Sequence, residues 1–368
     1  MRGALFDPLF GASGVASRLD DAAWVAALLA VEVALAQSAA AHGVIPATHA
    51  AAIAAASPDL DPAALGLASV EGGNPVIPLV RALRAAVGPQ VAPSVHPGAT
   101  SQDVMDTAAA LLTGWAGEVV LDDLRGAADA AAALAAAHRD TPMIARTLGQ
   151  HALPTTFGLV AAGWCAGLDR ARTRLAALLA AQPVQVGGPA GTLDGLPAAV
   201  VTDLAGRLGL ADPGVPWHAE RSRIGELAAA LGVAAGTCAK PATDVVALAG
   251  VGEVSEAAPG DSSSMPHKRN PIAAVTARGA ARRAPGLVAV LLAAMDGEHQ
   301  RAAGAWHAEW ETRADLLRAT GGAGARLRVC LTGLQVHPDR MAEPLGASAG
   351  VGRAPELVDR TLAARPPR

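Results

Sequence analysis

Residues Val104 to His138 read VMDTAAALLTGWAGEVVLDDLRGAADAAAALAAAH, and no proline interrupts them. Alanine and leucine are strong helix formers, so this run predicts a helix of roughly 50 Å at about 1.5 Å per residue. Gly114, Gly117 and Gly126 weaken that helix without ending it. Four similar stretches follow, from Thr155 to Ala181, His218 to Val251, Ile272 to Met295 and Trp306 to Leu334, with Pro285 expected to kink the third of them. Upstream the helical patterns are shorter and separated by Pro and Gly: Asp20 to His42, Pro46 to Ala56 and Asn74 to Val87. The expected fold class is therefore all-α. It comprises a smaller N-terminal helical domain over 1–103, an elongated five-helix bundle as the central domain over 104–340, and a truncated C-terminal remnant over 341–368. Helices this rich in Ala and Leu on more than one face carry more apolar surface than one bundle can hide, which points to packing into an oligomeric helical core.

Composition agrees. Hydrophobic residues make up 51 % of the 368, yet there is no Tyr and only three Phe, so the apolar content is not of the aromatic, strand-favouring kind. A net charge of −4 with no basic stripe excludes nucleic acid as the expected partner. The most apolar stretches, such as Ala22 to Ala41, are interrupted by Glu32 and Gln37, so no membrane span is expected. No basic, apolar and cleavage segments open the chain, which makes a cytoplasmic location the expectation. Cys165, Cys238 and Cys330 are isolated in apolar helical surroundings and read as buried reduced thiols. No Cys pair, HExxH or His cluster has ligand spacing, and no GxxxxGK[ST] loop occurs, so neither a metal nor a cofactor is expected.

Three polar segments each feed a long helix. His96-Pro-Gly-Ala-Thr-Ser-Gln-Asp103 precedes the first, with Thr100 and Asp103 at capping-box spacing. Thr100, Ser101 and Gln102 are also donors that would hold a carboxylate at a helix N-terminus. Arg146-Thr-Leu-Gly-Gln-His-Ala-Leu-Pro-Thr-Thr-Phe-Gly158 precedes the second; it shows no strand-like alternation and gathers Arg146, Thr147, Gln150 and His151 within six residues. Gly260-Asp-Ser-Ser-Ser-Met-Pro-His-Lys-Arg-Asn-Pro-Ile272 precedes the fourth. Asn270 suits an N-cap there and Pro271 the first helical position. Three hydroxyls, the Lys268 ammonium and a helix N-terminus on one loop suit the handling of an anion and a proton.

These segments resemble, in order, the three signature regions of the fumarase/aspartase superfamily, and Ser262-Ser-Ser-Met-Pro-His-Lys-Arg-Asn270 resembles its SSxMPxKxN loop. Glu32-Val-Ala-Leu-Ala36, Gly43-Val-Ile-Pro46 and Gly187-Gly-Pro-Ala-Gly-Thr-Leu193 extend the similarity over roughly residues 10–340. Within the superfamily, Trp217-His218, Gly304-Ala-Trp-His-Ala-Glu-Trp310 and the first two segments are most similar to the bacterial 3-carboxy-cis,cis-muconate cycloisomerase branch. The resemblance implies a small polycarboxylate substrate. It implies proton transfer by Ser262, with Ser263 beside it, and a carboxylate clamp of Lys268 and Asn270 with Thr100, Ser101, Gln102, Arg146, Thr147 and Gln150. His151 and His96 are the candidate acids, and Arg221 and Arg223 are open between substrate carboxylates and structural ion pairs. Pro259-Gly260 would be the hinge of a closing loop. The resemblance also implies a homotetramer whose active sites draw the Thr100, Gln150 and Ser262 segments from three different subunits. The alternative within the same superfamily is a lyase that removes an amine, nucleotide or nitro group from a substituted succinate.

Three departures mark this chain. Leu148 stands where fumarase-like and lyase relatives place a catalytic His, and where the cycloisomerases usually carry Trp. Asp261 replaces the Gly that usually precedes the serines, so its carboxylate must turn away or pair with a cation. Only Met341 to Arg368 lies where relatives continue through a further helical domain, which is expected to leave the cleft more open.

Overall fold

The computed structural model describes residues 5–11, 13–265, 267–345 and 350–366. A single turn, α1 (Ser13–Ala16), leads to α2 (Asp21–Ala41), α3 (Ala47–Ala55), α4 (Pro62–Gly72) and α5 (Val76–Val87). Then come α6 (Ser101–Ala137), the strands β1 (Pro142–Thr147) and β2 (Gln150–Thr156), α7 (Phe157–Ala180), α8 (Ala198–Leu208), α9 (Ser222–Gly250) and β3 (Val254–Ser255). The chain continues through α10 (Ile272–Ala281), α11 (Ala284–Ala293), α12 (Ala305–Thr332), β4 (Gln335–Val336), α13 (Pro338–Ala342) and α14 (Ala354–Ala363).

The helical plan follows the sequence. Asp20 caps α2, its carboxylate accepting the Ala23 N–H at 2.8 Å, and Gly73 in the left-handed region ends α4. The break expected at Pro285 falls just before it, at Arg282 and Arg283, so that Pro285 sits in the first turn of α11 where its missing N–H costs nothing. Helices α4 and α8, which lie in Pro- and Gly-interrupted stretches, are not foreseen in the sequence, and neither are α13 and α14 beyond Leu334. Among the described residues two stretches, Gly14–Ala41 and Ser101–Ala137, prove long and apolar enough to cross a membrane, in contrast to the sequence reading, because Glu32 and Gln37 dilute the first without breaking it. The apolar window of the second is 72 % buried, so its partner is the bundle itself; that of the first is only 50 % buried.

The bundle has a direction. Asp106 near the start of α6 accepts from Arg221 at the start of α9 and from Trp306 in the first turn of α12, and Arg221 also donates to Glu309 one turn on, so these three helices begin at the same end. Farther along, Arg328 of α12 pairs with Asp123 of α6 at 3.4 Å, which keeps them parallel. α7 returns antiparallel, its Trp164 donating to Asp244 near the end of α9 at 2.8 Å. One hydrophobic core runs from Val15 to Val358 and includes Cys165, Cys238 and Cys330. All three thiols are free and buried, and burial pushes Cys165 and Cys238 up to about 12, as inert core cysteines should behave.

The second polar segment is a correction. β1 and β2 form an antiparallel hairpin with a bulge between Ile144 and Arg146. Its two-residue turn is Leu148-Gly149, with φ of 50° and 79°, the positive pair that a tight hairpin demands. The hairpin then delivers the chain into α7 through Gly158, which packs on the end of α6. A Cβ at Gly158 would lie 2.6 Å from His138 O and 2.7 Å from Arg139 Cα, both of them backbone atoms that cannot swing aside. Gly158→Ala should therefore cost about 1–3 kcal/mol through overpacking, read as a lowered midpoint in denaturant. A midpoint equal to that of the wild type would show that the α6–α7 junction is looser than its packing indicates.

Candidate active site

The first segment forms a tightly bonded corner. Asp103, buried in the first turn of α6, accepts the Thr100 N–H at 2.9 Å, completing the cap at the helix start. The same carboxylate accepts the N–H groups of Gly187 and Gly188 at 3.0 and 2.9 Å and bonds His218 Nε2 at 2.6 Å. A single Asp thus joins the first segment, the glycine segment and Trp217-His218, which the sequence had shown only as separate similarities. Gln102 is drawn into this corner: it is fully buried, and its amide donates to Asp106 at 3.1 Å and to the His218 carbonyl at 2.8 Å. One step past Ser101 the helix has already turned inward, which puts the Gln102 side chain in the core. Thr100 and Ser101 stay at the surface of the corner. There Arg301, which no sequence motif had flagged, donates to Thr100 Oγ1 at 2.9 Å and to the Pro189 carbonyl at 3.2 Å.

His96 sits beside this corner in the left-handed region, φ 64°, with Nδ1 bonded to Glu32 of α2 at 2.6 Å. Burial acts to lower its pKa, but the Glu32 hydrogen bond and the charges of Glu32 and Asp103 outweigh it, and the imidazole ends above its ordinary value. His96 is therefore held toward its protonated, acid-bearing form. His151 is exposed on β2 opposite Arg146.

Arg146 itself is committed elsewhere. Its guanidinium forks onto the buried Glu253 at 3.0 and 2.5 Å, fastening the hairpin to the end of α9. Arg221 is likewise resolved as structural, with Asp106 at 2.8 and 3.2 Å on one edge and Glu309 on the other, and with its plane 4.7 Å from the Trp217 ring. Thr147, Leu148 and Gln150 remain exposed at the hairpin tip, and Leu148 is fully exposed at 102 %.

The third segment is a ring. Gly260 and Asn270 exchange both backbone hydrogen bonds, 2.8 and 3.0 Å, so the hinge expected at Pro259-Gly260 is the neck of a closed loop. Asn270 is occupied at this neck, its amide also reaching the Asp261 carbonyl at 3.3 Å, and the N-cap of α10 shifts to Pro271. The free N–H groups of Ala273 and Ala274 are instead taken by Glu256, a buried carboxylate from before the loop, at 3.0 and 2.8 Å. Ser262 Oγ is half-buried and accepts the Met265 N–H at 3.2 Å; Ser263 and Lys268 are exposed, and Lys268 has no ion pair among the described residues. Asp261 points outward, 92 % exposed, and faces Arg269 at 3.8 Å, the pairing its charge required.

Within one chain these parts do not converge. Thr100, Ser101, His96 and Arg301 lie at the end where α6, α9 and α12 begin. The hairpin and the Ser262 loop lie at the other end, joined through Arg146–Glu253 and through the β3–β4 pair that follows α12. The 37 residues of α6 put about 55 Å between the two ends. Among the described residues no group of three or more His, Cys, Asp or Glu is placed to hold a metal ion.

A parallel-antiparallel bundle of long helices, with polar donor segments at its ends and a serine-bearing loop, defines a helical lyase of the fumarase/aspartase kind. The chain belongs to the lyase family, whose model matches residues 4–286. It is 44 % identical over 98 % of its length to a nitrosuccinate lyase from Streptomyces davaonensis, 79 % of which is covered. It is also 44 % identical to a 3-carboxy-cis,cis-muconate cycloisomerase from Bradyrhizobium diazoefficiens, over 98 % of this chain and 83 % of that one. The crystal structure of a 3-carboxy-cis,cis-muconate lactonizing enzyme from Pseudomonas putida superposes with a TM-score of 0.87, at 37 % identity, covering 98 % of this chain and 87 % of that one.

Proposed function

We propose that the chain is a cycloisomerase that closes 3-carboxy-cis,cis-muconate to the carboxymuconolactone. One carboxylate oxygen of the substrate forms a C–O bond to an alkene carbon, and the neighbouring carbon, next to another carboxylate, takes up a proton. The electron pair displaced from the double bond rests meanwhile on that carboxylate as an aci-dianion, which needs concentrated donors. Lys268 and Asn270 with Thr100, Ser101, Thr147 and Gln150 supply them, and Ser262 carries the proton, with Ser263 beside it. Serine is a weak acid and base in water, so the Lys268 charge and exclusion of water must assist it. The superfamily resemblance extends this to a homotetramer in which each site draws on three subunits, and the separation of about 55 Å between the Thr100 corner and the Ser262 loop in one chain supports sites shared between chains. The divisions at 1–103, 104–340 and 341–368 and a cytoplasmic setting, which suits three reduced core thiols, complete the proposal.

The observation that carries this reading is Leu148, apolar and fully exposed at the hairpin tip where other branches of the superfamily hold a His. A site without an acid there suits a nucleophile or leaving group that is stable as an anion, and a carboxylate is one. Nitrite is another, and the 44 % identity to a nitrosuccinate lyase favours elimination of nitrite as the second reading. Parallel ultraviolet assays decide between them. Consumption of 3-carboxy-cis,cis-muconate should exceed fumarate formation from nitrosuccinate, and from adenylosuccinate, by about 100-fold or more in kcat/KM, a difference of about 3 kcal/mol in transition-state binding. The reverse order would replace the first reading with the second.

A further inference from the structure

A cleft of about 330 Å³ opens between α5 and the start of α6, with Ser101 and His96 on its inner wall. Its outer wall is α5, which presents Val76, Val80 and Arg84 on successive turns, with Ile77 and Arg81 beside them. The lining is thus apolar toward the start of α5 and cationic one to two turns on. No acidic side chain lines it, and the nearby Glu32 carboxylate is engaged by His96. Arg84 is partly used, donating to the Val95 carbonyl at 3.2 Å, which fixes its position beside His96. Arg81 is exposed and has no hydrogen-bond or ion-pair partner among the described residues. A guanidinium left without a partner at the end of an apolar slot is arranged for a planar anion on an apolar stem.

We infer that this cleft is the subsite for the one substrate carboxylate that neither attacks the alkene nor neighbours the protonated carbon, and that Arg81 binds it. The inference rests on the proposed cycloisomerase reaction. That substrate carries three carboxylates on a conjugated chain. The clamp of Thr100, Ser101, Lys268 and Asn270 serves the reacting end and leaves one carboxylate to be held separately. The cleft starts at Ser101, where the clamp ends, and supplies apolar walls against the diene and a forked donor for the carboxylate attached to it. Nitrosuccinate has no third carboxylate, so the same slot would select the tricarboxylate against it.

Arg81→Gln should raise KM for 3-carboxy-cis,cis-muconate by about 10- to 100-fold with little change in kcat, the signature of lost binding common to ground and transition states. Arg81→Lys should recover part of this, because it keeps the charge without the fork. Calorimetric titration gives a reading independent of turnover. Propane-1,2,3-tricarboxylate should bind Arg81→Gln at least about 10-fold more weakly than wild type, while succinate changes less than about 2-fold. An unchanged KM, or an equal weakening for both acids, overturns the subsite. A wild-type chain that consumes nitrosuccinate and not the muconate overturns the functional reading instead, and the calorimetric comparison then still decides whether Arg81 binds a third carboxylate.

Discussion

Ser262→Ala is expected to lower kcat for the cyclisation by about 10²- to 10⁴-fold, the range that a positioned proton carrier contributes, while leaving assembly and melting temperature unchanged. The second half follows from the structure. Ser262 Oγ makes only a 3.2 Å turn bond to Met265 and a longer one to Ser264, on a loop whose shape is set by the Gly260–Asn270 neck and by Glu256. Gln150→Ala, at the exposed end of the hairpin, should also be nearly inactive. Mixed after unfolding and refolding in equal amounts, the two variants should regain about a quarter of wild-type activity, since each segment of a shared site comes from a competent subunit half the time. Mixtures no more active than the separate variants would mean that both segments come from one chain. A Ser262→Ala enzyme within about 10-fold of wild type would remove the serine from the proton transfer.

What could be read in the sequence divides along a physical line. The long helices were legible because Ala and Leu propensity is local, and their limits fell within a few residues of the observed ones. The hairpin was not, because its turn uses leucine at positive φ, where Asn or Gly is the usual signal, and because neither strand alternates in polarity. At the site, the three segments were legible as motifs, but their partners were not. Glu32 is 64 residues from His96, Asp103 is 115 from His218, and Glu253 is 107 from Arg146. Nothing in a lone arginine distinguishes one that meets a buried glutamate from one left open, so the bond of Arg146 to Glu253 could not be read from the sequence. The burial of Gln102 was hidden for a related reason: its neighbour Ser101 is partly exposed, and a helix rotates each successive side chain by about 100°.

The largest stability effect is expected at Arg221. This buried guanidinium lies between Asp106 and Glu309, makes four hydrogen bonds to them, and shares the pocket with Arg313, while Trp306 donates to Asp106 at 3.1 Å. Burial alone would raise the Asp106 pKa, yet the Arg221 charge and hydrogen bonds hold it below its ordinary value, so the carboxylate stays ionised in the core. Arg221→Met leaves Asp106 and Glu309 facing each other with one arginine between two negative charges, and should cost about 3–5 kcal/mol, the usual penalty for orphaning a buried charge. Arg221→Lys should fall between, since a point charge cannot bond both carboxylates as a fork. Replacing the charges on both sides, as in Arg221→Met with Asp106→Leu, should recover part of the loss, because an apolar pair of similar volume carries no desolvation cost. Urea denaturation of the four proteins measures the order, and hydrogen exchange at the start of α6 shows where the loss is felt. The cluster joins the starts of α6, α9 and α12, and Asp106 is one turn from Asp103, so Arg221→Met should loosen the Thr100 corner first and raise KM before the bundle unfolds. A loss below about 1 kcal/mol, or exchange that rises evenly along α6, would mean that apolar packing alone positions the corner.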